Sequence, residues 1–175
     1  MQRIKCRILY TPGWRVLAVL DLLAAAEVRV WVAGGWGVDA LLGRQTRRHG
    51  DVDLVIGDDG PPYQQMAQVL AREGFRFAAK GLTAGIPIPW CHVWLHDAGH
   101  RVEVLPVRLH EPPFTTNGAD PAGGVQPFTE GCIDGRPVPC LSAELQLLLH
   151  SGYPQRDIDN HDVALLCEFA TSRNG

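Results

Sequence analysis

Three features that mark common classes of protein are missing from this sequence of 175 residues. No apolar run approaches the ~18 residues that a membrane-spanning helix requires, and the N-terminal residues lack the apolar core of a signal peptide. The 16 Lys and Arg residues are outnumbered by 19 Asp and Glu residues, so no basic excess predicts a long nucleic acid as a partner. We therefore expect a soluble, cytoplasmic protein that binds neither a membrane nor a long nucleic acid.

The cysteines also lack the spacing of a metal or redox motif. The five cysteines contain no C-x-x-C pair, and their odd number leaves at least one outside any set of disulfides. Reduced thiols in a cytoplasmic protein are the simpler interpretation. The apolar fraction of 46% and the charged fraction of 20% are typical of a globular protein, and the length suits one domain with at most a small helical appendage.

Helical and strand patterns alternate along most of the chain. They predict helices over residues 14–27, 36–42, 61–74, 143–151 and 161–172. They predict strands over residues 28–33, 51–57, 75–80, 90–97, 101–109 and 128–133. This order indicates an α/β (α+β) fold in which a small mixed β-sheet is flanked by helices. We expect residues 1–135 to form the main domain and residues 136–175 to form a C-terminal helical segment packed on it.

Two adjacent glycines, Gly34 and Gly35, lie between the first predicted strand and the short helix. Glycine allows a ligand to approach the backbone closely, and the N–H groups at the start of a helix point towards such a ligand. Phosphate is the natural occupant of such a site. A glycine pair that merely forms a tight turn is the alternative interpretation.

The next predicted strand carries two aspartates, Asp51 and Asp53. Residues two apart in a strand face the same side, so the two carboxylates project together and repel each other unless a cation lies near them. Mg²⁺ suits this pair because it accepts carboxylate oxygens together with waters and phosphates. A solvent-facing acidic pair without a ligand is the alternative.

A third carboxylate, Glu103, lies in the strand predicted over residues 101–109. If this strand neighbours the one that carries Asp51 and Asp53, the three acids converge, and Glu103 can bind a metal or act as a general base. A cross-strand ion pair between Glu103 and an arginine is the alternative. Between the glycines and the aspartates lie Arg44, Arg47 and Arg48, one of which can neutralise the charge on a pyrophosphate group; solvated surface arginines are the alternative.

Other candidate residues have mainly structural explanations. Three histidines recur at four-residue spacing, His92, His96 and His100, but the predicted hairpin between the strands disfavours a metal site. The acids of the C-terminal helices can bind a cationic ligand or stabilise helix N-termini; they are Glu144, Asp159 and Asp162. The tryptophans can stack on a ring of a ligand, although core packing is the simpler role; they are Trp31, Trp36, Trp90 and Trp94.

Several of these motifs occur together in one known family. The runs G-G-W-G-V-D, R-x-x-R-x-H and D-x-D-L, followed by "RVEVLPV" and by "LSAELQLLLHSGYPQRDIDNHDVALL", cover most of residues 28–166. In this combination the sequence resembles the aminoglycoside 2''-adenylyltransferases and lincosamide nucleotidyltransferases. These enzymes form a branch of the DNA polymerase β-like nucleotidyltransferase superfamily.

The resemblance implies a nucleotidyltransferase fold, with residues 1–135 as the catalytic domain, and a Mg²⁺-dependent transfer reaction. A nucleoside monophosphate, AMP being the expected group, would move from ATP or another NTP to a hydroxyl group of a small acceptor, and pyrophosphate would leave. Aminoglycoside and lincosamide antibiotics are the acceptors of this branch. Since the chain has no large second domain, the C-terminal helices or a second subunit of a homodimer would complete the acceptor cleft.

The resemblance also implies roles for individual residues. Gly34 and Gly35 would cradle the phosphates of the nucleotide, whereas Asp51, Asp53 and Glu103 would hold two Mg²⁺ ions. Glu103 would in addition help to deprotonate the acceptor.

Three further residues, Arg47, His49 and Arg156, would complete the nucleotide site. Many members carry Asp in place of Glu103 and a lysine near Arg156, and these two departures leave an alternative open. The chain would then be an inactive, antitoxin-like module that binds a nucleotide or a protein. A transferase that modifies a protein or the end of a tRNA is a third hypothesis, and the acidic composition disfavours tRNA.

Overall fold

The computed structural model of the protein describes residues 10–57, 60–80, 91–107, 126–151 and 154–173. Within these ranges the chain forms five helices and seven strands. The helices are α1 (Gly13–Ala25), α2 (Gly34–Leu42), α3 (Pro61–Arg72), α4 (Ala143–His150) and α5 (Asp157–Arg173). The strands are β1 (Val30–Ala33), β2 (Val52–Gly57), β3 (Phe75–Lys80), β4 (His92–His96), β5 (Arg101–Val107), β6 (Phe128–Ile133) and β7 (Arg136–Leu141).

The strands form one mixed sheet in the order β3-β4-β5-β2-β1-β7-β6. β2 pairs in parallel with β5 and β1 pairs in parallel with β7, whereas the other neighbouring strands are antiparallel. The predicted α/β class, with a mixed sheet flanked by helices, is therefore confirmed.

Helices cover both faces of the sheet, and the alternation of side chains along β2 decides which residues face which layer. Val52, Leu54 and Ile56 lie in the main core, to which α1 and α3 contribute. Val55 packs on the opposite face together with Leu145 of α4. Because side chains alternate along a strand, every second residue of β2 faces the side on which α4 lies.

The helix boundaries differ in part from those predicted. α2 begins at Gly34 rather than at residue 36, and α5 begins at Asp157 rather than at residue 161. The predicted cap of α4 is confirmed, since the Ser142 hydroxyl oxygen accepts a hydrogen bond of 3.2 Å from the backbone N–H of Leu145. Across the described parts of the chain, no helix is long and apolar enough to cross a membrane.

The prediction that residue 136 begins a helical segment is wrong at the secondary-structure level, because residues 136–141 form β7. Pro137 and Pro139 lie in this strand, although proline lacks the N–H group that a sheet ladder uses. The parallel register of β7 with β1 sets Val32 opposite Cys140, which follows both prolines. The proposed boundary falls in the β6–β7 turn, at an Asp-Gly dipeptide of positive φ that is typical of hairpins. The division into two units stays a prediction.

Gly131 of β6 is held directly against α2. A Cβ atom at this position would lie 2.6 Å from both the carbonyl carbon and the carbonyl oxygen of Ala40. Those are backbone atoms in the middle of α2, so the helix or the strand would have to move. The absence of a side chain at Gly131 therefore sets how closely α2 packs on the end of the sheet.

We expect Gly131→Ala to lower the free energy of unfolding by about 1–3 kcal/mol, the usual effect of overpacking a close contact. The exposed neighbour Glu130 provides the control, because Glu130→Ala should change stability by no more than about 0.5 kcal/mol. Urea denaturation followed by circular dichroism measures both. Equal stability of the two variants would contradict this account of the α2–β6 contact.

Candidate active site

The three predicted carboxylates lie on neighbouring strands. β2 and β5 pair in register so that Asp53 is opposite Glu103, and Asp51 stands immediately before β2. Adjacent strands are about 4.8 Å apart. The expectation that the two strands are neighbours is therefore confirmed, and the pairing brings Asp53 and Glu103 to the same row of the sheet.

The glycine pair joins this row from the other side. β1 pairs with β2 so that Ala33 is opposite Asp53, and α2 begins at the next residue, Gly34, with a φ of 56°. A Cβ atom on Gly34 would lie 2.7 Å from the carboxyl carbon of Asp53, so that a larger residue cannot fit. The first N–H groups of α2 thus lie beside the carboxylate of Asp53, where a helix favours negative charge.

Asp53 sits in an unfavourable electrostatic environment. Burial, followed by the negative charges of Asp51 and Glu103, raises the pKa of the Asp53 carboxyl group well above its usual value. The positive charges of Arg101 and Arg47 act in the opposite direction. A cation that approaches such a cluster stabilises it, because the positive charge offsets the repulsion between the carboxylates.

Arg101 supplies one such cation. Its side chain contacts a carboxylate oxygen of Glu103, and its Nε atom lies 3.9 Å from a carboxylate oxygen of Asp51. The pair with Glu103 lies within one strand, whereas the alternative raised from the sequence was a cross-strand pair. Strand alternation predicts Arg101 on the same face of β5 as Glu103, and the contact between the two side chains agrees with that prediction.

The second oxygen of Glu103 accepts a hydrogen bond of 3.3 Å from the thiol of Cys91. Cys91 precedes β4, and the antiparallel pairing of β4 with β5 brings it close to Glu103. No sequence pattern indicated this contact, because it depends on the register of two strands. Glu103 itself is fully buried.

The loop between α2 and β2 places Arg47 and His49 behind the glycines. The side chains of Arg47 and His49 both lie close to Gly35. A Cβ atom added to Gly35 would be 2.5 Å from Nδ1 of His49. Arg47 forms a two-pronged ion pair with Asp162 of α5, with Nε–Oδ1 and Nη2–Oδ2 distances of 2.9 and 2.6 Å. The hydrogen bond to Asp162 raises the pKa of Arg47.

Asp39 of α2 holds this loop in place. Its buried carboxylate accepts hydrogen bonds from the backbone N–H and the hydroxyl group of Thr46, and it lies 2.5 Å from Nε2 of His49. A proton on Nε2 of His49 is required for that contact, which leaves Nδ1 directed towards Gly35. Asp39 is the last residue of the G-G-W-G-V-D run, but its role in holding the loop depends on burial and was not predicted.

The remaining predicted charges are engaged in local pairs. Arg156 donates hydrogen bonds of 2.8 Å from its backbone N–H and from Nε to one carboxylate oxygen of Asp159. Asp159 and Asp162 are buried, and each is paired with an arginine. Glu144 is exposed in the first turn of α4. The two buried acids therefore do not present unpaired charge to a cationic ligand.

The aromatic candidates are mainly structural. Trp31 stacks on Phe128 with ring centroids 4.0 Å apart, Trp36 packs against His49, and Trp94 lies in the main core. Trp90 lies outside the described residues.

Among the described residues, no group of three or more His, Cys, Asp or Glu side chains is arranged to hold a metal ion. His92, His96 and His100 are therefore not gathered into such a group in this part of the chain. For Asp51, Asp53 and Glu103 the assignment stays a prediction, and their chemistry fits Mg²⁺. That ion takes one or two carboxylates and completes its shell with waters and substrate phosphates, so it needs no preformed protein cage.

Comparison with known proteins places the chain among antibiotic nucleotidyltransferases. A lincosamide resistance protein of Staphylococcus haemolyticus is 32% identical over 150 residues, which are 83% of this chain and 88% of the relative. A 2''-aminoglycoside nucleotidyltransferase of Klebsiella pneumoniae is 31% identical over 137 residues, 74% of this chain and 69% of the relative.

Comparison with solved structures also finds nucleotidyltransferases. A lincosamide antibiotic adenylyltransferase with lincomycin bound superposes with a TM-score of 0.71 and 28% identity, over 92% of this chain and 99% of the other. The fold is also that of ANT(2'')-Ia in complex with adenylyl-2''-tobramycin, with a TM-score of 0.69 and 20% identity, over 93% of this chain and 91% of the other. The profile of the aminoglycoside-2''-adenylyltransferase family matches residues 15–166. The chain therefore belongs to that family of nucleotidyltransferases, as its motifs predicted.

Proposed function

We propose that the protein transfers a nucleoside monophosphate, AMP being the expected group, from an NTP to a hydroxyl group of a small antibiotic acceptor. The reaction depends on Mg²⁺ and releases pyrophosphate. The observation that carries this proposal is the row of the sheet in which Glu103, Asp53 and the start of α2 at Gly34 follow one another. Acidic side chains and helix N–H groups then face the two parts of a metal–triphosphate complex.

The chain's residues divide the chemistry among them. The N–H groups at Gly34 and Gly35 would bind phosphate oxygens, and Asp51, Asp53 and Glu103 would hold two Mg²⁺ ions. When bound, these ions would supply positive charge that stabilises the phosphates and makes the acceptor hydroxyl more acidic. Glu103 accepts the hydroxyl proton while the acceptor oxygen bonds to the α-phosphorus and the bond to the pyrophosphate oxygen breaks.

Arg47, His49 and Arg156 complete the proposed nucleotide site. Arg47 is the best supported of the three, because it lies next to Gly35 and α5 holds its guanidinium in a fixed direction through Asp162. The contact between His49 and Asp39 holds the same loop in place. Arg156 is turned onto Asp159 and would have to leave that pair to reach a phosphate.

Among acceptors, we propose a lincosamide ahead of an aminoglycoside. An aminoglycoside carries several positive charges and requires acidic side chains that are not already neutralised. The buried acids of α5, Asp159 and Asp162, each pair with an arginine. The lincosamide resistance protein is also matched over more of its length, 88% against 69% for the aminoglycoside enzyme. A homodimer remains our proposal for completing the acceptor cleft beyond the C-terminal helices.

Turnover tests the proposed function directly. With Mg²⁺ and each of the four common NTPs in turn, pyrophosphate release should depend on a lincosamide and should be fastest with ATP. The same assay with a panel of aminoglycosides ranks the two acceptor classes. An inactive binding module would instead bind MgATP, as measured by calorimetry, and release no pyrophosphate with any acceptor.

Asp53→Asn should lower kcat/KM by about a thousandfold or more, because a neutral amide binds Mg²⁺ poorly and metal stabilisation of the transition state contributes several kcal/mol. The variant should be at least as stable as the unmodified protein in EDTA. Since the pKa of Asp53 is raised in the folded state, its ionised form destabilises the fold at neutral pH, and this loss is relieved as the pH falls through that pKa.

Pyrophosphate release and thermal denaturation in EDTA measure the two effects of Asp53→Asn. The exposed acid Asp97 provides the control, because Asp97→Asn removes a surface ion pair and should leave both quantities nearly unchanged. Normal turnover by Asp53→Asn would refute the assignment of the carboxylate site.

Arg47→Lys tests the proposed phosphate contact. Lysine keeps the charge but cannot reproduce the planar fork that pairs with Asp162, so the side chain should lose its fixed direction. We expect the KM for the NTP to rise about tenfold, roughly the value of one charge-assisted hydrogen bond, while the KM for the acceptor stays constant. Initial-rate kinetics provides both constants. Arg48→Lys, at an exposed neighbour, should leave both unchanged, and an equal effect at the two positions would argue against a specific contact.

A further inference from the structure

Arg101 lies close to the three carboxylates without having a place in the reaction described above. It is two residues before Glu103 on the same face of β5, and its side chain is 12% exposed. It contacts Glu103, whose side chain is 1% exposed, and approaches Asp51, whose side chain is 32% exposed. This one guanidinium thus lies between the carboxylates of Glu103 and Asp51.

The other arginine that acts on the cluster is less well placed to neutralise it. Arg47 also favours the ionised form of Asp53, but its guanidinium is committed to Asp162 by two hydrogen bonds. Arg101 contacts the carboxylate of Glu103 directly, and its Nε atom lies 3.9 Å from a carboxylate oxygen of Asp51. The attraction between opposite charges weakens as their separation grows, so a direct contact dominates over a distant one.

We infer that Arg101 is the internal counter-ion of the metal-binding carboxylates and competes with the divalent cation for the oxygens of Glu103 and Asp51. The inference rests on the proposed function, because it takes these carboxylates as the metal ligands. The guanidinium stabilises the acidic cluster before a metal binds. For the same reason it lowers the affinity for a metal, since the guanidinium must leave Glu103 before the cation can approach that carboxylate.

Cys91 makes such an exchange feasible without loss of geometry. Its thiol donates to one oxygen of Glu103 while Arg101 contacts the other. When the guanidinium leaves, the Cys91 contact still fixes the direction of the Glu103 carboxylate. One oxygen of Glu103 then keeps its hydrogen bond to Cys91, while the other is exchanged between two cations.

Arg101→Gln and Arg101→Lys separate charge from packing. Mn²⁺ is the probe in the absence of nucleotide, and the electron paramagnetic resonance signal of the free ion reports binding. We expect Arg101→Gln to bind Mn²⁺ about tenfold more tightly than the unmodified protein, equivalent to about 1.4 kcal/mol, whereas Arg101→Lys should stay within about twofold. Adding Asp53→Asn should abolish the tight binding, which identifies the site being measured.

Thermal denaturation gives an independent readout. In EDTA, Arg101→Gln should have a lower Tm than the unmodified protein, because the acids lose their counter-ion. Saturating Mn²⁺ should close this difference. Arg101→Lys should show a smaller loss in EDTA, since the charge is retained.

Three results would overturn the inference. Equal or weaker Mn²⁺ binding by Arg101→Gln would mean that the guanidinium does not compete with metal. A loss of Tm that persists in saturating Mn²⁺ would assign Arg101 a packing role. Tight binding that survives Asp53→Asn would place the metal elsewhere. Turnover of the unmodified protein with Mg²⁺ and a lincosamide decides the proposed function separately, so that either proposal can fail alone.

Discussion

The register between β2 and β5 is the constraint on which the site depends. It sets Asp53 opposite Glu103, and the pairing of β2 with β1 sets the start of α2 opposite Asp53. Acids on adjacent strands repel each other, and burial increases that repulsion. The fold offsets this repulsion with positive charge, above all the guanidinium of Arg101 on β5, which contacts Glu103. Stability is thereby exchanged for a concentration of negative charge that suits the proposed metal ions.

Much of this arrangement follows from local patterns in the sequence. The alternation of Val52 and Leu54 with Asp51 and Asp53 predicted which face carries the acids, and the two glycines predicted where α2 begins to within a turn. Local patterns could not predict that β5 lies next to β2, because pairing between distant strands is decided by the whole sheet. The convergence of the three acids was therefore predicted only on the condition that these strands are neighbours. The resemblance to a known family supplied what the pattern alone did not.

The errors have physical causes as well. β7 was not predicted, although the Asp-Gly dipeptide between β6 and β7 is typical of a hairpin turn; its two prolines make it an atypical strand. Asp39 was missed because its importance arises from burial, which no periodicity reveals. Cys91 was missed because its contact with Glu103 crosses from one strand to the next. Each missed residue supports the site through a neighbour in space rather than a neighbour in sequence.

The ion pair between Arg47 and Asp162 joins the main domain to the C-terminal segment that the sequence predicted to pack on it. Arg47 belongs to the loop behind the glycines, and Asp162 lies in α5. Since Asp162 is buried, leaving it unpaired would cost about 3–5 kcal/mol, so the loop and the helix constrain each other. A displacement of α5 by an acceptor would therefore move Arg47, which lies against Gly35 next to the proposed phosphates. The C-terminal helices are in this sense part of the proposed nucleotide site and not only a wall of the proposed acceptor cleft.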